Sequence, residues 1–592
     1  MTEPVDPFAH LHDESYADAY EAKWCGHSDL VTVAGRRRIS LDGDWHFTPD
    51  LFDEGLRQRW FADEPSPPAQ WSAPRDYDAE GSETVPVPSC WTMLRPEWRY
   101  FEGAGWYVRS FDWDGSSERV VLRVGAANYR ALVFLNGVFL ASHRGGSTPF
   151  CVEVTERLRP GANRLTIQVD NRRRADRVPM HHFDWFNHGG LYREIDLLPL
   201  PAVFIRGFGL ALTEAGRVAV EITLSDAVDG EAFVSVPELG GRFEIGVVGG
   251  VGRLEIDAVP ERWSPELPRL YDVEAVFGAD RIAERVGIRE IRVEGHQILL
   301  NGRPIYLRGV CVHEDDVLLG KATNDVDIRR RFADAKALGC NFLRLAHYPH
   351  HERVAEIADE EGMLLWAEIP VYWAIDFANP GTYADAENQL LELIRRDRNR
   401  ASVIVWGVGN ENADTNARYA FMSRLAETAR QADPTRLVSA ACLINRRTFA
   451  IEDRLVRHLD IIGVNEYFGW YEPDFAGLER LLANSQPDRP VVISEVGADA
   501  LAGYHGDTTE LFTEECQAEV YRRQLAIIAR APWLRGFCPW LLYDFRSERR
   551  QTRFQRGFNR KGLIAEDKHT RKLAFDVLAA HYATMGSSFT AL

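Results

Sequence analysis

From about residue 290 onward, short apolar runs alternate with helical stretches, and no other feature of the sequence constrains the fold as tightly. The runs fall at 305–310, 341–346, 364–369, 403–409, 437–442, 461–466, 491–495 and 536–542. Helical periodicity falls between them at 326–339, 350–361, 385–398, 416–432, 446–457, 474–484 and 513–530, with a last stretch at 567–582. Strands that are each followed by a helix run parallel, because the helix returns the chain to the edge where the strand began. Eight such units predict a closed (β/α)8 TIM barrel over 291–592. An open doubly wound sheet is the rival, weakened because no Gly-rich phosphate loop follows the first run.

The sequence upstream has a different period. From about 36 to 200 it shows short alternating runs broken by Gly, Pro and Asn, such as 120–124, 131–135 and 164–169. These predict an antiparallel β-sandwich in a first domain, 1–200. Strand patterns continue at 218–224, 253–256 and 271–276, punctuated by Trp263-Ser-Pro-Glu-Leu-Pro. A second, smaller sandwich over 201–290 fits them.

Composition removes several classes of function. Lys and Arg number 69 against 88 Asp and Glu, a formal charge of −19. That balance argues against a nucleic-acid partner and against an anionic membrane surface, both of which need clustered cations. No stretch approaches the ~18 apolar residues of a membrane span. The N-terminal sequence is acidic, without the apolar run of a secretory signal, and the eight cysteines are scattered without a C-x-x-C pair. A cytoplasmic protein with reduced core thiols is the expectation. The sixteen Trp favour sugar binding only slightly, since large cores also use them.

A barrel places its chemistry at the C-terminal ends of the strands. The first run ends in His313-Glu314-Asp315, the second in Arg344-Leu-Ala-His347-Tyr348, and the third in Glu368. The fourth ends in Asn410-Glu411, the sixth in Asn465-Glu466-Tyr467 followed by Trp470-Tyr471, the seventh in Glu495, and the eighth holds Trp540 and ends near Asp544. Glu411 and Glu495 stand out because each follows a run with nothing else to ionise. Strands four and seven lie on roughly opposite sides of an eight-stranded barrel, so the two carboxylates can face each other across the mouth. Such a pair is the equipment of glycoside hydrolysis, retaining at ~5–5.5 Å separation and inverting at ~6.5–9.5 Å. Salt bridges to Arg344 or Lys561 are the bland alternative. His313, Glu314, Asp315 and His347 could be metal ligands, but there is no H-x-H or H-E-x-x-H pattern, and no cofactor is called for.

These residues, with Trp106-Tyr-Val-Arg, Asn136-Gly137, Gly145-Gly146-Ser-Thr-Pro-Phe150 and Asn187-His-Gly-Gly-Leu-Tyr-Arg193, resemble glycoside hydrolase family 2 over nearly the whole chain. The resemblance implies a sugar-binding jelly-roll domain, an immunoglobulin-like domain and a catalytic TIM barrel. It implies Asn410-Glu411 as the acid/base motif, Glu495 as the nucleophile, and a retaining mechanism.

Within the family the sequence is most similar to the β-glucuronidases. The similarity lies in 494–517, in Asn465-Glu466-Tyr467-Phe-Gly-Trp470-Tyr471, and in Asn559-Arg560-Lys561. The last matches an N-x-K pattern that grips a uronic acid carboxylate, where an ammonium and an amide supply charge-assisted hydrogen bonds. By the same resemblance Asp184 reaches the barrel mouth to bind a sugar hydroxyl, with His313 beside it. Asn410 contacts the 2-hydroxyl, Tyr467 bonds the nucleophile, Trp540 floors the pocket and Tyr471 helps at the carboxylate. Arg344 and His347 complete the expected substrate-binding set. The implied partner is a small-molecule or oligosaccharide glycoside, and a homo-oligomer is an expectation because relatives are often dimers or tetramers.

The chain departs from the pattern in an Arg-rich run between Asp544 and Asn559, which leaves open which Arg, if any, meets a substrate carboxylate. The stretch from Pro370 to Asp385 is short, so an open leaving-group side is expected. A β-galactoside or β-galacturonide substrate remains an alternative, as does a carbohydrate-binding protein without catalysis.

Overall fold

The computed structural model describes Tyr20, residues 23–62 and residues 77–588. It divides into two units: Met1–Arg172 with His188–Phe204, and Arg173–Asn187 with Ile205–Leu592.

In the first unit, alternating apolar residues build two large antiparallel sheets, beside a short pairing of Gly190–Leu191 with Ala127–Asn128. One has six strands, centred on Ala104–Trp113 and Gly161–Asp170, which pair along ten residues from Gly161↔Trp113 to Asp170↔Ala104. The other has four, with Arg119–Val124 between Ile195–Leu200 and Phe150–Glu153. The inward faces form one apolar cluster that includes Trp45, Phe47, Trp91, Tyr107 and Ile167. Asn136-Gly137 reverses the chain between Arg130–Leu135 and Val138–Arg144 with φ of 51° and 77°. A two-residue hairpin turn needs both positive, which Asn and Gly tolerate.

The second unit opens with seven antiparallel strands in one continuous sheet, from Ile205–Leu212 to Asp280–Val286. Val218–Leu224 alternates buried and half-buried residues along its whole length, as its sequence period requires. The pairing between Gly241–Val248 and Val251–Ile256 spans only two residues of each strand, and the first and last strands lie against each other. The sheet therefore folds over on itself as a sandwich does.

Next comes a closed barrel of eight parallel strands: Leu307–Val312, Phe342–Leu345, Leu364–Glu368, Val403–Asn410, Leu437–Leu443, Ile461–Asn465, Val491–Glu495 and Leu534–Phe537. Helix Asn416–Ala432 falls on its predicted stretch. Several elements differ from expectation, among them the last helix, which runs Leu573–Ser588, and the helix Pro380–Asp397, which starts five residues early. Ile305 belongs to a small antiparallel meander, because Asn301-Gly302 turns Gln297–Leu300 back onto Arg303–Ile305, and the first barrel strand starts two residues later. The last barrel strand ends at Phe537, although the Cys538 and Trp540 amides still bond the Ile493 and Val496 carbonyls. The helix expected at 446–457 is a 3-10 turn, Arg454–His458. Upstream of it, the Asn445 carboxamide accepts the Arg447 and Thr448 amides and diverts the chain into a turn.

Trp366, Ile404 and Cys311 fill the barrel interior, while the outer strand faces pack on the helices. Gly407 makes room for the indole, since a Cβ there would sit 2.2 Å from Trp366 Nε1. The segment Arg173–Asn187 is tied to this unit by Val178, which packs among the barrel helices and accepts a 2.9 Å hydrogen bond from Gln389. This brings Asp184 to the mouth.

Candidate active site

Arg344, wholly buried at the end of the second barrel strand, ties four strand ends together. Its guanidinium grips Glu368 in two parallel bonds of 3.0 Å, donates to Glu495 Oε1 at 2.8 Å, and donates to Asn410 Oδ1 at 2.7 Å. Five donors in a rigid fork suit this task, where a lysine's three donors radiate from one atom and could not grip Glu368 in two parallel bonds. Burial alone would pull its proton affinity down, but Glu368 and Glu495 outweigh it and hold the group charged. His347 Nδ1 lies 2.8 Å from Glu368 and its Nε2 lies 3.6 Å from Glu495. Burial and the neighbouring Arg344 push His347 well below its ordinary pKa, so the ring is neutral. Both residues, expected to bind substrate, are enclosed and turned toward carboxylates.

Glu495 receives Arg344 on one oxygen and the Tyr467 hydroxyl on the other at 2.7 Å. Burial pushes its carboxyl up to about 8, opposed by Arg344 and Tyr467 and reinforced by the charge of Glu411. Glu411, half-buried at the end of the fourth strand, accepts Asn465 Nδ2 on Oε1 at 3.1 Å and Trp373 Nε1 on Oε2 at 2.7 Å. Asn465 also donates to Asn410 Oδ1 at 3.0 Å, and Asn410 Nδ2 is buried without a protein partner.

A second cluster surrounds Tyr471. Lys561 Nζ donates to its hydroxyl at 2.9 Å and to Asp499 Oδ1 at 2.8 Å. Arg550 Nη1 donates to the same hydroxyl at 2.9 Å and pairs with Asp184. Burial works against the charge of both cations, but Asp499 raises Lys561 and Asp184 raises Arg550. Asp184 also accepts Ser547 Oγ at 2.5 Å and lies 3.5 Å from Asn559 Nδ2. The Asn559 carboxamide oxygen accepts the Lys561 amide at 3.2 Å.

Aromatic rings line the space between. Trp540 stacks on His347 at 4.8 Å, and His313 stacks on Phe545 at 4.1 Å with Nδ1 at 3.1 Å from the Tyr348 hydroxyl. Burial pushes His313 well below its ordinary pKa, and its Nε2 is buried without a protein partner. Trp185, near Asp184 in sequence, meets His313, His347 and Tyr372 edge-on or tilted.

The geometry thus gathers two carboxylates at the ends of strands four and seven, donors on both, and two cations, buried Lys561 and half-buried Arg550, around one hydroxyl. The sequence matches the description "Glycosyl hydrolases family 2, TIM barrel domain" over residues 291–585, and "Glycosyl hydrolases family 2, sugar binding domain" over 39–201. The chain belongs to glycoside hydrolase family 2. Among its curated relatives, a β-glucuronidase of Paenibacillus borealis is 29% identical over 602 residues, covering 92% of this chain and 97% of that protein. The Homo sapiens β-glucuronidase is 28% identical over 597 residues, covering 90% and 89%. A solved β-glucuronidase from Ruminococcus gnavus, in complex with C6-substituted uronic isofagomine, superposes with a TM-score of 0.82 at 25% identity. That match covers 94% of this chain and 100% of the other.

The sequence did not single out Trp373, Arg550, Asp499 or Trp185 for this family 2 site. Each lies in a loop, and a loop residue declares its partner only once the barrel is closed. Glu368 was visible as a strand-end carboxylate, without a sign that it anchors Arg344. No helix among the described residues is long and apolar enough to cross a membrane.

Proposed function

We propose that this family 2 glycosidase is a retaining, exo-acting β-glucuronidase. Glu495 attacks the anomeric carbon while Glu411 gives its proton to the leaving oxygen, and the bond to the aglycone breaks. Water then attacks the glycosyl-enzyme as Glu411 takes its proton, and Glu495 leaves as a carboxylate. Arg344 and Tyr467 hold Glu495 and stabilise its ionised form. Asn410 is the group for the 2-hydroxyl, since its free Nδ2 is an unspent donor. His313 and Trp540 line the sugar ring, with Asp184 and Asn559 at its hydroxyls.

The glucuronide assignment rests on one observation: Lys561 and Arg550 both donate to the Tyr471 hydroxyl at 2.9 Å. Two charged donors meet at one neutral oxygen beside the pocket, and a uronate carboxylate in its place would accept charge-assisted hydrogen bonds from both, shared with Asp499 and Asp184. A protein of formal charge −19 needs such a local reversal to hold an anionic sugar. A second reading, a neutral β-galactoside, is favoured by the carboxylates already beside each cation, Asp499 and Asp184. Comparing kcat/KM for nitrophenyl β-glucuronide, β-galacturonide and β-galactoside tests the choice, with the glucuronide expected to lead. A faster neutral sugar would overturn the substrate, and unaltered hydrolysis by Glu495→Ala would overturn the mechanism.

The reading also takes residues 1–200 as a jelly-roll domain, 201–290 as an immunoglobulin-like domain and 291–592 as the catalytic barrel. The burial of all eight cysteines supports a reducing, cytoplasmic setting.

A further inference from the structure

The short loop after the third barrel strand is stitched to the end of the fourth on either side of Glu411. The Trp373 amide donates to the Asn410 carbonyl at 2.9 Å, and the Asn410 amide donates to the Val371 carbonyl at 2.9 Å. Asn412 Nδ2 donates to the Trp373 carbonyl at 2.9 Å. Trp373 and Glu411 both have left-handed backbones, with φ of 53° and 52°. A bulky residue in that region is strained, and such strain persists only where surrounding structure over-determines it. Here it sits at both ends of one hydrogen bond, Trp373 Nε1 to Glu411 Oε2, 2.7 Å. The indole is packed between Tyr372, stacked at 4.6 Å, and the Arg549 guanidinium, 4.6 Å from its centre.

An indole N–H is only a donor, so this bond can be made only to a lone pair on the carboxyl oxygen. With Asn465 on Oε1, both oxygens of Glu411 are fixed by N–H groups, while lone pairs remain for a water. That is the arrangement the second half-reaction needs, when Glu411 is ionised and must draw a proton from water aimed at the anomeric carbon.

We propose that Trp373 is a positioning residue that holds Glu411 in its general-base geometry, through the hydrogen bond from Nε1 to Oε2. The inference rests on the reading of Glu411 as the acid/base. Its consequence is specific to the step that releases the sugar from Glu495. Azide needs no general base, so it can attack the anomeric carbon directly, break the bond to Glu495 and leave as glycosyl azide.

The test uses the full chain and dinitrophenyl β-glucuronide, whose leaving group departs without acid help. Trp373→Phe and Trp373→Met both remove the donor, and either one that folds, by thermal unfolding, carries the test. Hydrolysis should fall on the order of tenfold. Azide should then restore turnover with glycosyl azide as product, while the parent enzyme stays indifferent to azide. A folded variant within twofold of the parent, or one slowed with no response to azide, overturns the proposal. Glu411→Ala separates the two failures. If azide rescues it but not the Trp373 variants, only the role of Trp373 falls. If azide does not rescue Glu411→Ala, the acid/base reading itself falls.

Discussion

Lys561 and Asp499 form an ion pair at 2.8 Å with about 1% of either side chain exposed. A uronate carboxylate that reaches Lys561 must therefore share the ammonium with a resident carboxylate. Asp499→Asn leaves the ammonium with the Tyr471 hydroxyl and a neutral amide, and breaking a buried pair costs about 3–5 kcal/mol. A bound glucuronate would replace the missing charge. Saturating glucuronate is expected to raise the Tm of Asp499→Asn more than that of the parent, because binding to the native state alone stabilises by mass action. Equal shifts would mean that the sugar's carboxylate does not meet Lys561.

Removing the ammonium itself gives the complementary result. Lys561→Ala should raise the barrier in kcat/KM for a glucuronide by several kcal/mol and barely alter a neutral galactoside, because only the uronate loses a charged partner. An unchanged sugar preference would demote Lys561 to a structural cation.

Arg550 couples two parts of the site, with Asp184 on one side and the Tyr471 hydroxyl on the other. Arg550→Gln keeps hydrogen-bonding capacity but removes the charge, leaving Asp184 with Ser547 and Asn559. An uncompensated anion beside the sugar should then repel a uronate. The expected outcome is a KM for nitrophenyl glucuronide at least about tenfold higher, about 1.4 kcal/mol, with kcat changed less. A fall in kcat at constant KM would instead mean that Arg550 acts on the reacting groups.

These residues also mark where the sequence was legible. The barrel was readable because its strands must be apolar on both faces, which leaves Glu411 and Glu495 conspicuous at their ends. Asn559 and Lys561 were readable as a motif. Arg550 was one of several arginines in a run, and its partner Asp184 lies 366 residues away. Nothing local in sequence encodes that choice; it follows from Val178 docking the 173–187 segment on the barrel helices. Trp373 was hidden likewise, in a loop whose shortness suggested only an open mouth. The absent helix at 446–457 had the right period, but Asn445 capped a turn first.

The pH dependence of kcat/KM follows from Glu495. A nucleophile must be ionised, so activity rises with pH through its titration. Burial, reinforced by the charge of Glu411, sets that titration at about 8 against the pull of Arg344 and Tyr467. The acid limb is therefore expected well above the ordinary carboxylate value of 4.5, as an apparent constant of the coupled pair. An acid limb at 4.5 in a glucuronide assay would show that Arg344 and Tyr467 outweigh burial.

Glu466 offers a test on stability that catalysis does not disturb. It follows the sixth barrel strand and accepts the Phe468 amide and Gln524 Nε2, each at 3.0 Å on one oxygen. Its other oxygen is buried without a protein partner. Burial raises its pKa from 4.5 to about 8, against the pull of those two donors. Because the folded value is the higher one, its contribution to stability is fully present below 4.5 and is lost as pH rises through about 8. Glu466→Gln imitates the protonated form at every pH. The variant should match the parent near pH 5 and exceed it by a few kcal/mol near pH 8, as linkage over such a shift requires. Glu495 titrates in both proteins and cancels from the comparison. Thermal or urea unfolding of the two proteins at both pH values measures the difference. A gap that stays constant with pH would mean that Glu466 is not held protonated in the fold.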